Sequence, residues 1–139
     1  MTTDTNTLVT DTGFAPDDWT GGFTEASDAA NSPVALDIAS DADPHALADH
    51  IASAKIIRVN FPSFADGRGF TIARRLRLMG YEGRLRAAGH VLADQYAMAR
   101  RSGFDEVEID AALAARQPED QWLSRANWKE NDYRSRLRG

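Results

Sequence analysis

Apolar and polar positions alternate in a regular order between residues 34 and 123. Val34-Ala35-Leu36-Asp37-Ile38 is a short apolar run that reads as a strand. Asp43-Pro44 then supplies an N-cap and a first-turn proline, and Leu47, Ile51 and Ala54 follow at helical spacing. His45, Asp49 and His50 fall on the other side of that helix. Ile56 to Phe61 is rich in β-branched residues and stops at Pro62, as a strand does. Phe70, Ala73 and Leu76 share one helical face, closed by Gly80. Arg84 to Ala88 predicts a third strand, Val91 to Ser102 a helix closed by Gly103, and Glu106 to Ile109 a fourth strand ahead of an alanine-rich segment. Strands separated by helix-length segments predict an α/β domain with a small, mainly parallel sheet of about four strands, wound like half a barrel or like a doubly wound sheet.

The flanks lack this order. Residues 1–33 are rich in Thr, Asp, Gly, Ala and Ser and read as a flexible acidic leader, whereas 34–123 form the domain. Residues 124–139 read as a polar, aromatic tail, with Trp122 and Leu123 just before it available to pack on the core. The formal charge of -5 conceals a polarity: residues 1–54 hold ten carboxylates and no Lys or Arg, whereas Lys55 to Gly103 holds ten basic residues against three acidic ones. A cationic centre in an acidic chain suits a small anionic ligand or an acidic partner surface, or else solvates the outer faces of helices. With no cysteine, disulfides, thiol catalysis and thiolate-ligated iron–sulfur clusters are excluded. The first twelve residues have neither a basic nor an apolar region of a secretory signal, and no segment has the length and apolarity of a membrane span; a cytoplasmic, membrane-free protein is expected.

Ligands of parallel α/β sheets bind beyond the carboxyl ends of the strands, here the loops 61–69, 88–91 and 110 onward. Asp66-Gly67-Arg68-Gly69 joins a strand to a helix, so its glycines permit positive φ and its amides suit an anion, with Arg68 as a bidentate partner. An ordinary turn in which Asp66 caps the helix or pairs with an arginine fits the same residues. The glycines start like a dinucleotide fingerprint, but Ile72 stands where close helix packing wants a small residue. A buried Arg86 requires a carboxylate, with Asp66 or Asp94 as candidates. His45, His50 and His90 have no metal spacing, so no metal site is expected; His90, at a strand-to-helix junction, is an acid or base candidate. No known nucleic-acid motif accompanies the arginines, so none is expected to bind.

The run Asn60 to Phe70, with Ala73-Arg74, Leu76-Arg77, Gly80-Tyr81, Leu85-Arg86-Ala87, Asp94-Gln95 and Gly103-Phe104-Asp105, resembles a bacterial family catalogued as domain of unknown function 934. The resemblance covers about Val34 to Ile109. It singles out Phe61, Pro62, Phe64, Asp66, Gly67, Arg68, Gly69, Arg74, Arg86, Gly89, Asp94 and Gln95 as candidates for anion or partner binding. His90 stands where the family suggests an acid, and Ser102 where relatives often carry Cys. Members of that family are typically encoded beside assimilatory sulfite reductase and are often labelled oxidoreductases of sulfite reduction. The resemblance thus implies an accessory protein that assists the sulfite reductase hemoprotein; with neither cysteine nor a full dinucleotide fingerprint, no cofactor of its own is expected. The competing expectation is a small enzyme or anion-binding module that uses the Asp66 to Gly69 loop on a sulfur oxyanion or phosphorylated ligand.

Overall fold

The structure, a computed structural model, describes residues 6–16, 18–19, 23–25, 35–48, 51 and 53–126. Among the described residues seven strands, more than the four or so expected, form one mixed sheet: β1 (Thr7–Thr10), β2 (Gly13–Pro16), β3 (Thr24–Glu25), β4 (Ala35–Ile38), β5 (Ile56–Phe61), β6 (Arg84–Gly89) and β7 (Glu106–Ile109). Their order is β2-β1-β7-β6-β5-β4-β3. The run from β3 to β7 is parallel throughout, whereas β1 pairs antiparallel with both β7 and β2. Parallel neighbours follow sequence order without reversal, so right-handed crossovers all fall on one side. The crevice that a reversal of strand order opens in a doubly wound sheet is therefore absent.

Period-two alternation explains both faces. Leu36, Ile38, Ile57, Val59, Phe61, Leu85, Ala87, Val107 and Ile109 share one core with the helices. The chief helices there are α1 (Arg68–Leu78), which contributes Phe70, Ile72, Ala73 and Leu76, and α2 (Tyr96–Ser102), which contributes Tyr96 and Ala99. The opposite face carries a cross-strand row, Asp37, Arg58, Arg86 and Glu106, in direct register. Two short helices, α3 (Ala111–Arg116) and α4 (Glu119–Leu123), follow β7 and add Leu113 and Trp122 to the core. Trp122 is buried against Tyr96 and donates from its indole to the Gln117 carbonyl; Leu123, expected to pack with it, is exposed.

Two expectations require correction. Residues 7–16 of the leader are an integral hairpin: Val9 is fully buried in the core, and Leu8 is buried on the other face. Asp11 in its turn accepts from the Tyr96 hydroxyl and pairs with Arg100 at 3.1 Å, and Glu119 accepts from the Phe14 amide at 2.8 Å. These long-range partners outweigh a local composition that suggests disorder. Asp43 does cap a turn, accepting from the His45 amide, but the described residues show a 3-10 turn over Pro44–Leu47 in place of a helix reaching Ala54. The remaining leader residues and the tail beyond Ala126 lie outside the described residues.

Candidate functional site

The loops at the carboxyl ends of β5 and β6 are built around Phe61. Its ring lies where a Cβ on Gly69 would stand, as close as 2.4 Å, and its carbonyl is 2.8 Å from a Cβ placed on Gly89, whose φ is +106°. Both positions thus require glycine, the first for close approach and the second for approach and backbone conformation. Gly67 has a φ of -92°, and neither it nor Gly69 uses the positive φ that glycine permits in this loop. Phe64 meets the His90 ring edge-on with centroids 5.0 Å apart, and His90 Nδ1 lies 3.2 Å from the Phe61 carbonyl. Gln95 locks the two loops together, accepting from the Leu92 amide and donating to the Phe64 carbonyl. Asp94, one residue away, points to a different partner, pairing with Arg125 at 2.6 Å.

Asp66 and Arg68 engage each other. The guanidinium holds both carboxylate oxygens, at 3.0 and 2.9 Å, while the Arg68 amide donates to the same carboxylate and one guanidinium nitrogen reaches Ser40. Hydrogen bonding from Arg68 holds the Asp66 carboxyl well below the usual range, with Ser40 contributing. An incoming anion at this loop meets a carboxylate and an arginine already neutralised by it.

Arg86 is fully buried, as the sequence allowed, but its partners are neither Asp66 nor Asp94. It pairs with Glu106 at 2.6 Å and Glu108 at 2.8 Å from the adjacent strand. Arg58 bridges Asp37 at 3.1 Å and Glu108 at 3.3 Å, and Arg84 bridges Glu106 and Asp18. The Phe23 ring lies 4.0 Å from the Arg58 guanidinium, a cation–π contact that brings a leader residue onto this face. Arg58, Glu106 and Glu108 were missed by the sequence reading. The signal was Arg84-x-Arg86 in one strand and Glu106-x-Glu108 in the next, opposite charges at period two.

A cavity of about 350 Å³ opens where β5, β6 and β7 end, near this network. Asn6, Asn60, His90, Asp110 and Arg116 supply its polar wall, with Phe64 beside them. Of the expected site residues Phe64 and Gly89 line it, together with His90, the acid or base candidate; Phe61, Gly69 and Gln95 hold its surrounding loops, Arg86 lies in the adjacent network, and Arg74 is exposed on α1. Arg68 instead borders a shallower depression with Ser40 and Arg75. Among the described residues no cluster of His, Asp or Glu is placed to hold a metal ion, and no helix is long and apolar enough to cross a membrane.

The model of a family described as bacterial protein of unknown function, DUF934, matches residues 35–136. No curated protein and no solved structure matches the chain.

Proposed function

The chain belongs to the DUF934 family, and from that premise we propose that it is a cytoplasmic accessory protein of assimilatory sulfite reduction that docks on and assists the sulfite reductase hemoprotein. The observation that carries this reading is where the family-like motif residues are committed. Asp66 is held by Arg68, Gly69 and Gly89 make room for Phe61, Gln95 ties two loops, and Arg86 is neutralised by Glu106 and Glu108. Such a motif maintains a shape that a partner recognises; it supplies no paired nucleophile and base.

The outer side of α1 offers the docking chemistry. Arg74 and Arg75 are exposed there, α1 carries no acidic residue, and Leu78 is 81% exposed beside them. Met98 on the adjoining α2 is 52% exposed. A cationic rim around exposed apolar side chains complements an acidic partner surface with an apolar centre. The competing reading, an anion site at Asp66 to Gly69, is the weaker because the Arg68 fork is already engaged by Asp66. A mostly parallel α/β sheet fits either role, since fold alone fixes no activity.

Size-exclusion chromatography of the full chain mixed with its host's sulfite reductase hemoprotein tests the proposal. Co-elution, with no chromophore on the free chain, is the expected result; separate elution at micromolar concentration contradicts it.

A further inference from the structure

We propose that the cavity at the ends of β5, β6 and β7 binds a small zwitterion of the free α-amino acid class, a role independent of docking through α1. At about 350 Å³ the cavity falls within the range of small-molecule sites, and it sits at the carboxyl ends of parallel strands, where such sites recur. Gly89 in its lining carries no side chain, and a Cβ there would stand 2.8 Å from the Phe61 carbonyl.

The hydrogen-bonding capacity of the wall identifies the ligand. Arg58 and Glu108 neutralise each other, and Glu108 also accepts from Asn6 and Arg86. Asn60 donates through its amide nitrogen to Asp37 and to the Ile38 carbonyl, and one oxygen of Asp110 accepts from the Leu113 amide. What these contacts leave available is one arginine fork and a set of mostly accepting groups. Arg116 forms no hydrogen bond or ion pair among the described residues, so a planar five-donor fork stands at the cavity for an anionic group. Most of the remaining capacity is acceptors, the amide oxygens of Asn6 and Asn60 and the second oxygen of Asp110, while Asn6 keeps one N–H and the His90 ring offers Nε2 beyond the Nδ1 contact with the Phe61 carbonyl. A ligand with a carboxylate for Arg116 and an ammonium for Asp110 and the amide oxygens satisfies both sets.

Charge balance points the same way. Arg58 and Arg116 line the cavity together with Glu108 and Asp110, two formal charges of each sign. A ligand without net charge enters without leaving a charge uncompensated, whereas sulfate or phosphate would leave Asp110 opposed to it.

Amide NMR and calorimetric titration of the full chain with a panel of free L-amino acids test this, with acetate, methylammonium and inorganic sulfate as single-charge probes. At least one amino acid is expected to saturate shifts at Gly89 and His90, with affinity falling about tenfold or more in Arg116→Ala and in Asp110→Asn. Arg116 is exposed and Asn retains the helix cap, so both variants should fold. Arg68→Ala should bind as wild type does. The inference is overturned if no amino acid saturates, if sulfate binds as tightly as the best amino acid, or if Arg116→Ala binds unchanged.

Discussion

Arg86 shows how one side chain fixes a whole face of the sheet. A fully buried guanidinium is tolerable only because two glutamates meet it from the neighbouring strand, and those glutamates in turn need Arg58 and Arg84. Replacing Arg86 by Met leaves Glu106 and Glu108 buried and each one arginine short, and we expect a loss of about 3 kcal/mol in urea denaturation. Asp66 is the second informative residue. Its lowered pKa favours the folded state above the ordinary carboxylate value, and this contribution disappears as pH falls through the folded value. Arg68→Ala should raise the Asp66 titration, followed by carboxyl NMR, toward the ordinary value of about 4, with Ser40 and the residue 68 amide still holding it below. A titration unmoved by the substitution would mean that the ion pair does not form in solution.

At the scale of elements, the hairpin β1–β2 determines how the sheet ends. It covers the β7 edge that a parallel sheet would otherwise leave unpaired, and it is tied to α2 through Asp11 and to α4 through Glu119. Burial, with the hydrogen bond to Asp11 in support, pushes the Tyr96 hydroxyl far above its ordinary pKa. The sign follows from linkage: the neutral phenol is favoured in the fold, so its contribution is complete below the unfolded value of about 10 and is lost as pH rises beyond it. Far-ultraviolet circular dichroism should therefore fall together with the rise of tyrosinate absorbance from Tyr96. An absorbance rise that precedes unfolding would contradict the hydroxyl's burial.

The central strands and α1 were legible because each carries its own period: Ile56 to Phe61 alternates and Phe70, Ala73 and Leu76 repeat helically. The hairpin was not, because Leu8 and Val9 are few among polar residues and their stabilising partners lie about a hundred residues away in Glu108 and Glu119. The site was legible in part. Position beyond the strand ends pointed to the loops that hold Phe64 and His90, but the Asp66–Arg68 pairing hid behind a motif that also suits an anion. Arg116 and Asn60 carry no local signal, since only the register of β5 to β7 brings them to one cavity.

At the scale of the whole molecule, a domain matched by its family over residues 35–136 presents a self-neutralised sheet face inside and an arginine-bearing helix outside. On the proposed function, the motif serves structure and α1 serves recognition. Surface charges acting across an interface are screened by salt, while the buried network is not, so the two roles separate experimentally. The most direct measurement is the affinity of the full chain for the sulfite reductase hemoprotein, taken at low and high salt for wild type, for the double variant Arg74→Glu with Arg75→Glu, and for Arg68→Ala. Our account predicts wild-type binding that weakens with salt, about tenfold or greater loss in the double variant, and wild-type affinity in Arg68→Ala. Binding abolished by Arg68→Ala and untouched by the double variant would contradict it.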